Sequence, residues 1–195
     1  MADPAYIVDG VLTDGEAWVG IAHDSLSLPA ATVTWESTDD GQTGDFSQYM
    51  DLVMVTYAKS DASAYETALA VVFNDDTTAS IYTRQQLTGN GAAVSAASVA
   101  GASLQIGQVA GSYVTHANTF GVIVTNLFDI NSGKYKSVVS QSAADTNGRG
   151  NVYLIGGVWS KQAPITKIVL SDASAGDLMA GSMFSLFGVL PRMVA

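Results

Sequence analysis

The chain is a succession of short apolar runs, rich in β-branched and aromatic residues, that turn-forming residues interrupt every eight to fifteen positions. Runs of this length are strands, since a helix needs ten or more residues of 3.6-residue apolar period. The clearest are 49–57 (Tyr-Met-Asp-Leu-Val-Met-Val-Thr-Tyr) and 67–73 (Thr-Ala-Leu-Ala-Val-Val-Phe). Further strands are expected at 16–22, 31–36, 78–83, 119–127, 134–141, 151–159, 164–170 and 183–190. Between them stand Asn74-Asp75-Asp76, Gly89-Asn90-Gly91, Asn131-Ser132-Gly133 and Thr146-Asn147-Gly148. These residues tolerate positive φ or hydrogen-bond their own backbone, which is what tight reversals require. Ile165, Ile168 and Leu170 do not alternate cleanly, so the last pair of strands is expected to be buried on both faces or bulged.

Only 92–104 competes as a helix. Its alanines favour one, but Ser95, Ser98, Gly101 and Ser103 spoil an amphipathic stripe. It reads as a long low-complexity excursion toward a neighbouring subunit. About ten strands without βαβ alternation predict an all-β chain, a single antiparallel β-sandwich of jelly-roll type with two four-stranded sheets. Residues 1–48 are expected to hold an N-terminal arm plus the first strands, and 49–195 the jelly-roll sandwich. With 195 residues there is room for one full core and no second domain of similar size.

Charge narrows the partners. Hydrophobic residues make up 48% and charged residues 13%, so a lightly charged surface of Ser, Thr, Ala and Gly is expected. Such a surface suits large contacts with other subunits, because burying it desolvates few ions. Net charge is −10, and ten acids precede the first basic residue, Lys59. Binding to nucleic acid depends on cations that neutralise phosphates, so this balance argues against it. No run approaches the ~18 apolar residues of a membrane helix, and no membrane partner is expected. Met1-Ala2-Asp3-Pro4 lacks the basic start and apolar run of a signal peptide, which predicts synthesis in a cytoplasm. Without cysteine there are no disulfides or thiolate metal sites.

Catalytic chemistry finds few groups. His23 and His116 are the only histidines, and neither stands in a nucleophile motif. The adjacent acids Asp39-Asp40 and Asp75-Asp76 fall in turns, and neighbours on a strand point to opposite faces, so neither pair is a glycosidase dyad by itself. The oxygen-rich loops 39–45 and 145–151 can be imagined around calcium, but both lack the downstream Glu of an EF-hand, and turn formation explains their Asp and Asn. Gly89-Asn90-Gly91 and Gly148-Arg149-Gly150 lack the Lys and following helix of a phosphate loop. Trp18, Trp35 and Trp159 read as core rather than as platforms for sugars. No catalytic residue, metal site or cofactor is expected, and the chain reads as a non-enzyme.

From Tyr49 onward a resemblance accumulates. Tyr49-Met50-Asp51-Leu52, Phe73-Asn74-Asp75-Asp76 with Ile81-Tyr82, and Lys134-Tyr135-Lys136-Ser137 come first. Gly157-Val158-Trp159, Pro164-Ile165-Thr166-Lys167-Ile168 and Ala180-Gly181-Ser182-Met183-Phe184-Ser185-Leu186-Phe187-Gly188 follow in order. Together, over roughly 49–190, they resemble a family of short jelly-roll-like virion proteins of tailed bacteriophages, with Asp75 in place of the usual Gly and Phe187 in place of Tyr. The resemblance implies a structural subunit, usually trimeric, found in capsid decoration, tail and fibre contexts. It also implies fold-forming roles: Trp159, Ile165, Ile168, Phe184 and Leu186 in the core or as anchors between sheets, and Gly181 and Ser182 in the turn between the last strands. The expected partners are copies of the chain in a homotrimer and the major capsid protein or other virion subunits. The place implied first is the outer capsid surface, as a decoration (cement) protein made in the bacterial host. A tail- or fibre-associated protein that recognises a host glycan is the alternative.

Overall fold

The computed structural model describes residues 7–8, 11–12, 18–38, 44–113, 118–146 and 148–190. Two short strands, β1 (Ile7–Val8) and β2 (Val11–Leu12), pair with each other. All other strands belong to two antiparallel sheets. The wide sheet contains β3 (Trp18–Ser25), β5 (Asp51–Ala58), β7 (Tyr82–Gly89), β8 (Val94–Gly101), β10 (Gly121–Phe128), β11 (Lys136–Asp145), β12 (Gly150–Trp159) and β14 (Met183–Val189), in the order β3-β14-β5-β10-β11-β12-β7-β8. The narrow sheet contains β4 (Thr32–Glu36), β6 (Glu66–Phe73), β9 (Leu104–Ala110) and β13 (Lys167–Asp172), in the order β4-β13-β6-β9. The all-β sandwich expected from the sequence is therefore what forms.

Its partition differs from the expected four and four. The wide sheet has eight strands, and two strands lie in the stretch read as an excursion: β8 and the start of β9. The expected strand 78–83 begins only at Tyr82, because Asp76 caps Thr78 and holds that stretch as a turn. Ile165 precedes β13, which then alternates regularly, with Ile168 and Leu170 inward. Of the last pair of strands, β14 carries the irregularity, a register shift against β3 at Leu186/Phe187.

The two sheets meet through residues spaced by two. On β11 every even position from Lys136 to Ala144 is buried, and on β12 Tyr153, Ile155, Gly157 and Trp159 are buried. That is the period of a strand with one face on the core. Trp159 anchors the centre, its ring centroid 5.6 Å from Phe73 on the narrow sheet and 6.4 Å from Tyr82 on its own. Each such side chain contributes about 2–3 kcal/mol on burial. Their polar atoms are satisfied as well: the Trp159 indole donates to Asp76 at 3.1 Å, and the Tyr82 hydroxyl accepts from the Phe73 amide at 2.9 Å. Burial pushes the Tyr82 phenol up to about 12.

Phe184, Leu186, Ile165 and Ile168 are likewise fully buried. Gly181, at φ 88°, and Ser182 form the turn into β14, where the buried Ser182 hydroxyl accepts from the Lys59 amide at 3.1 Å. Lys136 points into the core and ends its ammonium on the carbonyls of Ser132 and Lys134, so burial lowers its pKa. Both β3 and β4, from the first 48 residues, are strands of the sandwich, and Phe46 is buried. Most of the expected arm lies outside the described residues.

Candidate interaction surface

The narrow sheet ends at β9, which packs across β10, β11 and β12. The wide sheet continues past it through β7 to β8. Beyond that edge no other described residue covers either face, and residues 91–100 are all exposed.

The outward face of the wide sheet has an unusual composition. An antiparallel sheet with one face on the core normally turns polar residues to water. Here the outward positions of β10, β11, β12, β7 and β8 are Val, Leu, Phe, Ala, Gly, Ser, Thr, Asn and Gln, and only Asp145, at the end of β11, carries a charge. The register sets the apolar ones side by side: Leu87 lies opposite Leu154, Val152 opposite Ala143, and Val122 opposite Ala143 on its other side. Val94 is 72% exposed, Val152 62%, and Leu87 and Leu154 48% each. Leu87, Val94, Val152 and Leu154 line one open depression near the β7–β8 turn. Five strands about 4.8 Å apart, each about 26 Å long, give a field of about 600 Å². That is the area of the whole face, polar positions included, and it approaches the ~800 Å² one partner buries in a standard interface.

Part of this face, from β7, β8 and β10, shares an origin with the bare edge. From Gln85 to Phe128 the chain has no Asp, Glu, Lys or Arg. Side chains without charge cost little to desolvate, so the stretch is suited to burial against protein.

The other candidates resolve into local structure. Asp75 pairs with Lys167 at 3.0 Å. Hydrogen bonding from Thr78 first, helped by the Trp159 indole, holds the Asp76 carboxyl below its ordinary 3.8. His23 Nδ1 lies 2.9 Å from the Ser185 hydroxyl at the surface. Asp45 caps the 3-10 turn Phe46–Gln48. His116, Asp39 and Asp40 lie outside the described residues. Among the described residues no three His, Asp or Glu side chains gather as metal ligands do. Of the tryptophans, Trp35 and Trp159 are core, whereas Trp18 is half exposed against Phe187.

In the loop 145–151 the Asp145 carboxylate accepts from the Gly148 amide at 3.1 Å. Asn151 donates from its backbone to Glu66 at 2.8 Å and from its side chain to the same carboxylate. Burial nonetheless raises the Glu66 pKa above 4.5, outweighing those hydrogen bonds. Beside it the Arg149 guanidinium sits 4.8 Å from the Tyr65 ring centre, and Tyr113 meets Tyr65 edge-on at 6.0 Å.

Comparison with known proteins adds no constraint: no family model, curated protein or solved structure matches the chain. The outward sheet face was missed by sequence reasoning. Its Leu and Val residues have the spacing of core strands, and the long absence of charge could have signalled only the part from β7, β8 and β10.

Proposed function

We propose that the chain is a structural subunit of a tailed-phage virion, a homotrimeric decoration protein that stabilises the outer capsid surface by protein–protein contact. The observation that carries this reading is the exposed, nearly uncharged outward face of the wide sheet. A patch of this size and composition on a chain of net charge −10 serves contact with protein. The ordered resemblance from Tyr49 to Gly188 supplies the virion context. In this reading Trp159, Phe184 and the Gly181-Ser182 turn maintain the fold, and no residue acts catalytically. Image reconstruction of the intact virion tests it. Density for the sandwich on the shell, with the wide sheet's outward face against a neighbouring subunit, is the expected result. Purified virions that lack the chain would refute the proposal.

The Tyr65, Tyr113 and Arg149 group, with Asn90 and Asn151 beside it, favours a second reading as a glycan-recognising tail protein. Aromatic faces next to amide side chains are what sugar rings need. Selective binding on a glycan array, lost in Tyr65→Ala, would support that reading over capsid decoration.

A further inference from the structure

We infer that β8 is the strand through which a second copy of this chain joins the wide sheet, pairing β8 with β8 in antiparallel fashion across a two-fold axis. The inference rests on the reading of the chain as an assembling subunit and names a contact additional to the three-fold one: a two-fold pairing joins two copies, so it links a subunit of one trimer to a subunit of another.

An edge strand offers a row of backbone N–H and C=O groups, and soluble proteins guard it with charge, proline, a bulge or a short strand. β8 has none of these. It is eight residues long, Val-Ser-Ala-Ala-Ser-Val-Ala-Gly, and pairs with β7 without a register shift from Tyr82↔Gly101 to Gly89↔Val94. The turn that presents it is well formed: the Asn90 side chain accepts from the amides of Ala92 and Ala93, at 3.0 and 2.7 Å. The edge is therefore continuous, paired along its length with β7 and unprotected, which is the template for strand addition.

Charge identifies the occupant. A basic partner would be drawn to the acidic surfaces and gain nothing from an edge without ions. Two copies of the chain, each at −10, repel wherever those acids face each other. They approach most easily along the stretch from Gln85 to Phe128, where there is no charge to repel. Across a two-fold axis each side chain meets a copy of its neighbours, so even one charge on β8 would face its like. Ala, Ser and Val meet themselves without penalty, and the small residues leave room on both faces.

The geometry fixes the register. Residues opposite one another in an antiparallel pair point to the same side. Two copies that keep their apolar faces on one side must pair outward with outward positions, so the axis passes through a residue. The midpoint of Val94–Gly101 selects Ala97 or Ser98 as that self-paired residue. Self-paired Cα atoms are then about 4.5–5.5 Å apart, inside the ~4.4–6.8 Å range of a disulfide.

Because the chain has no cysteine, a single introduced thiol is unambiguous. Ala97→Cys and Ser98→Cys proteins are oxidised at micromolar concentration beside an Ala173→Cys control, which places the thiol in an exposed loop after β13. Pairing raises the local thiol concentration to about millimolar, so one of the two forms covalent dimer up to about a thousandfold faster than the control. Light scattering on the cysteine-free chain with and without Ala97→Lys/Ser98→Lys completes the test. The expected result is a loss of associated mass in the double variant, with an unchanged circular dichroism spectrum. Cross-linking no faster than the control at both positions overturns the proposal. So does an associated mass that the two lysines leave unchanged, since loss of the two-fold pairing should halve the assembly even where a three-fold contact persists. Amide protection of β8 that appears only in the virion would assign the edge to a different subunit and also overturn it. All but the last measurement use the purified chain, so they can fail without touching the virion assignment.

Discussion

Two adjacent glycines on β12 give a sharp test of which face of the wide sheet meets water. A Cβ built on Gly156 meets nothing within 4 Å, whereas one on Gly157 comes within 2.7 Å of Leu104 Cδ1 and 2.9 Å of Cδ2. Ordinary contact begins at 3.4 Å, so Leu104 would have to withdraw by about 0.7 Å, the difference between 3.4 and 2.7. Leu104 is fully buried on β9 against the wide sheet, and overpacking of this kind costs about 1–3 kcal/mol. Neither glycine has a positive φ, so alanine is sterically allowed at both and restricts the unfolded chain, gaining about 0.5–1 kcal/mol. Gly156→Ala should therefore stabilise by about 0.5–1 kcal/mol, and Gly157→Ala should destabilise by about 1–2 kcal/mol. Urea unfolding followed by tryptophan fluorescence, with an m-value unchanged between variants, reads the difference as a gap between midpoints of about 1 M. Equal effects, or a more stable Gly157→Ala, would refute the facing of β12. A one-residue slip exchanges the two faces, so it would also remove the apolar outward surface.

Two further outcomes follow from the surface and the loop. Leu154→Lys places a charge at a half-exposed position, so folding should weaken by only about 1 kcal/mol, while binding to the virion or to other copies through that face is lost; retained binding in a sedimentation assay would exclude that face as the contact. For Glu66, burial raises the folded pKa, so the folded chain holds the proton more tightly than the unfolded one. Its contribution is complete below the ordinary 4.5 and falls as pH rises to the folded value, then stays level. Glu66→Gln should match the wild type in acid and exceed it at neutral pH in urea melts; parallel profiles would refute the assignment.

Much of the sandwich is legible in the residues, because β-branched and aromatic runs bounded by Asn, Asp and Gly leave few alternatives. Asn74 and Asp75 do take positive φ, at 52° and 55°, and reverse the chain after β6. β8 was illegible because Ala, Ser and Gly give neither an apolar period nor β-branching, and its pairing with β7 supplies the order. The eight-and-four partition arises from pairs distant in sequence, such as Val152 with Gly89 and Met183 with Tyr57, which local pattern does not encode. Nothing in the sequence marks Lys136 as buried, yet its stem packs inward while two carbonyls receive the charge. On the functional side, Leu87, Val152 and Leu154 are indistinguishable in sequence from core residues. Only the structure shows that Val152 and Leu154 alternate with the buried Tyr153 and Ile155 and that Leu87 lies opposite Leu154.

The overhang of β8 beyond the narrow sheet also divides the chain energetically. Detaching β8 breaks its ladder with β7 but uncovers almost none of the residues around Trp159, so its opening is a local event well below the cost of global unfolding. In the isolated chain its amides should exchange early, while those of β11 and β12 exchange only with the core. A partner that occupies the free edge closes this opening and brings β8 into the cooperative unit. Amide exchange at Ala96–Ala100 is then a direct gauge of occupancy, one that a measurement of overall melting would not register.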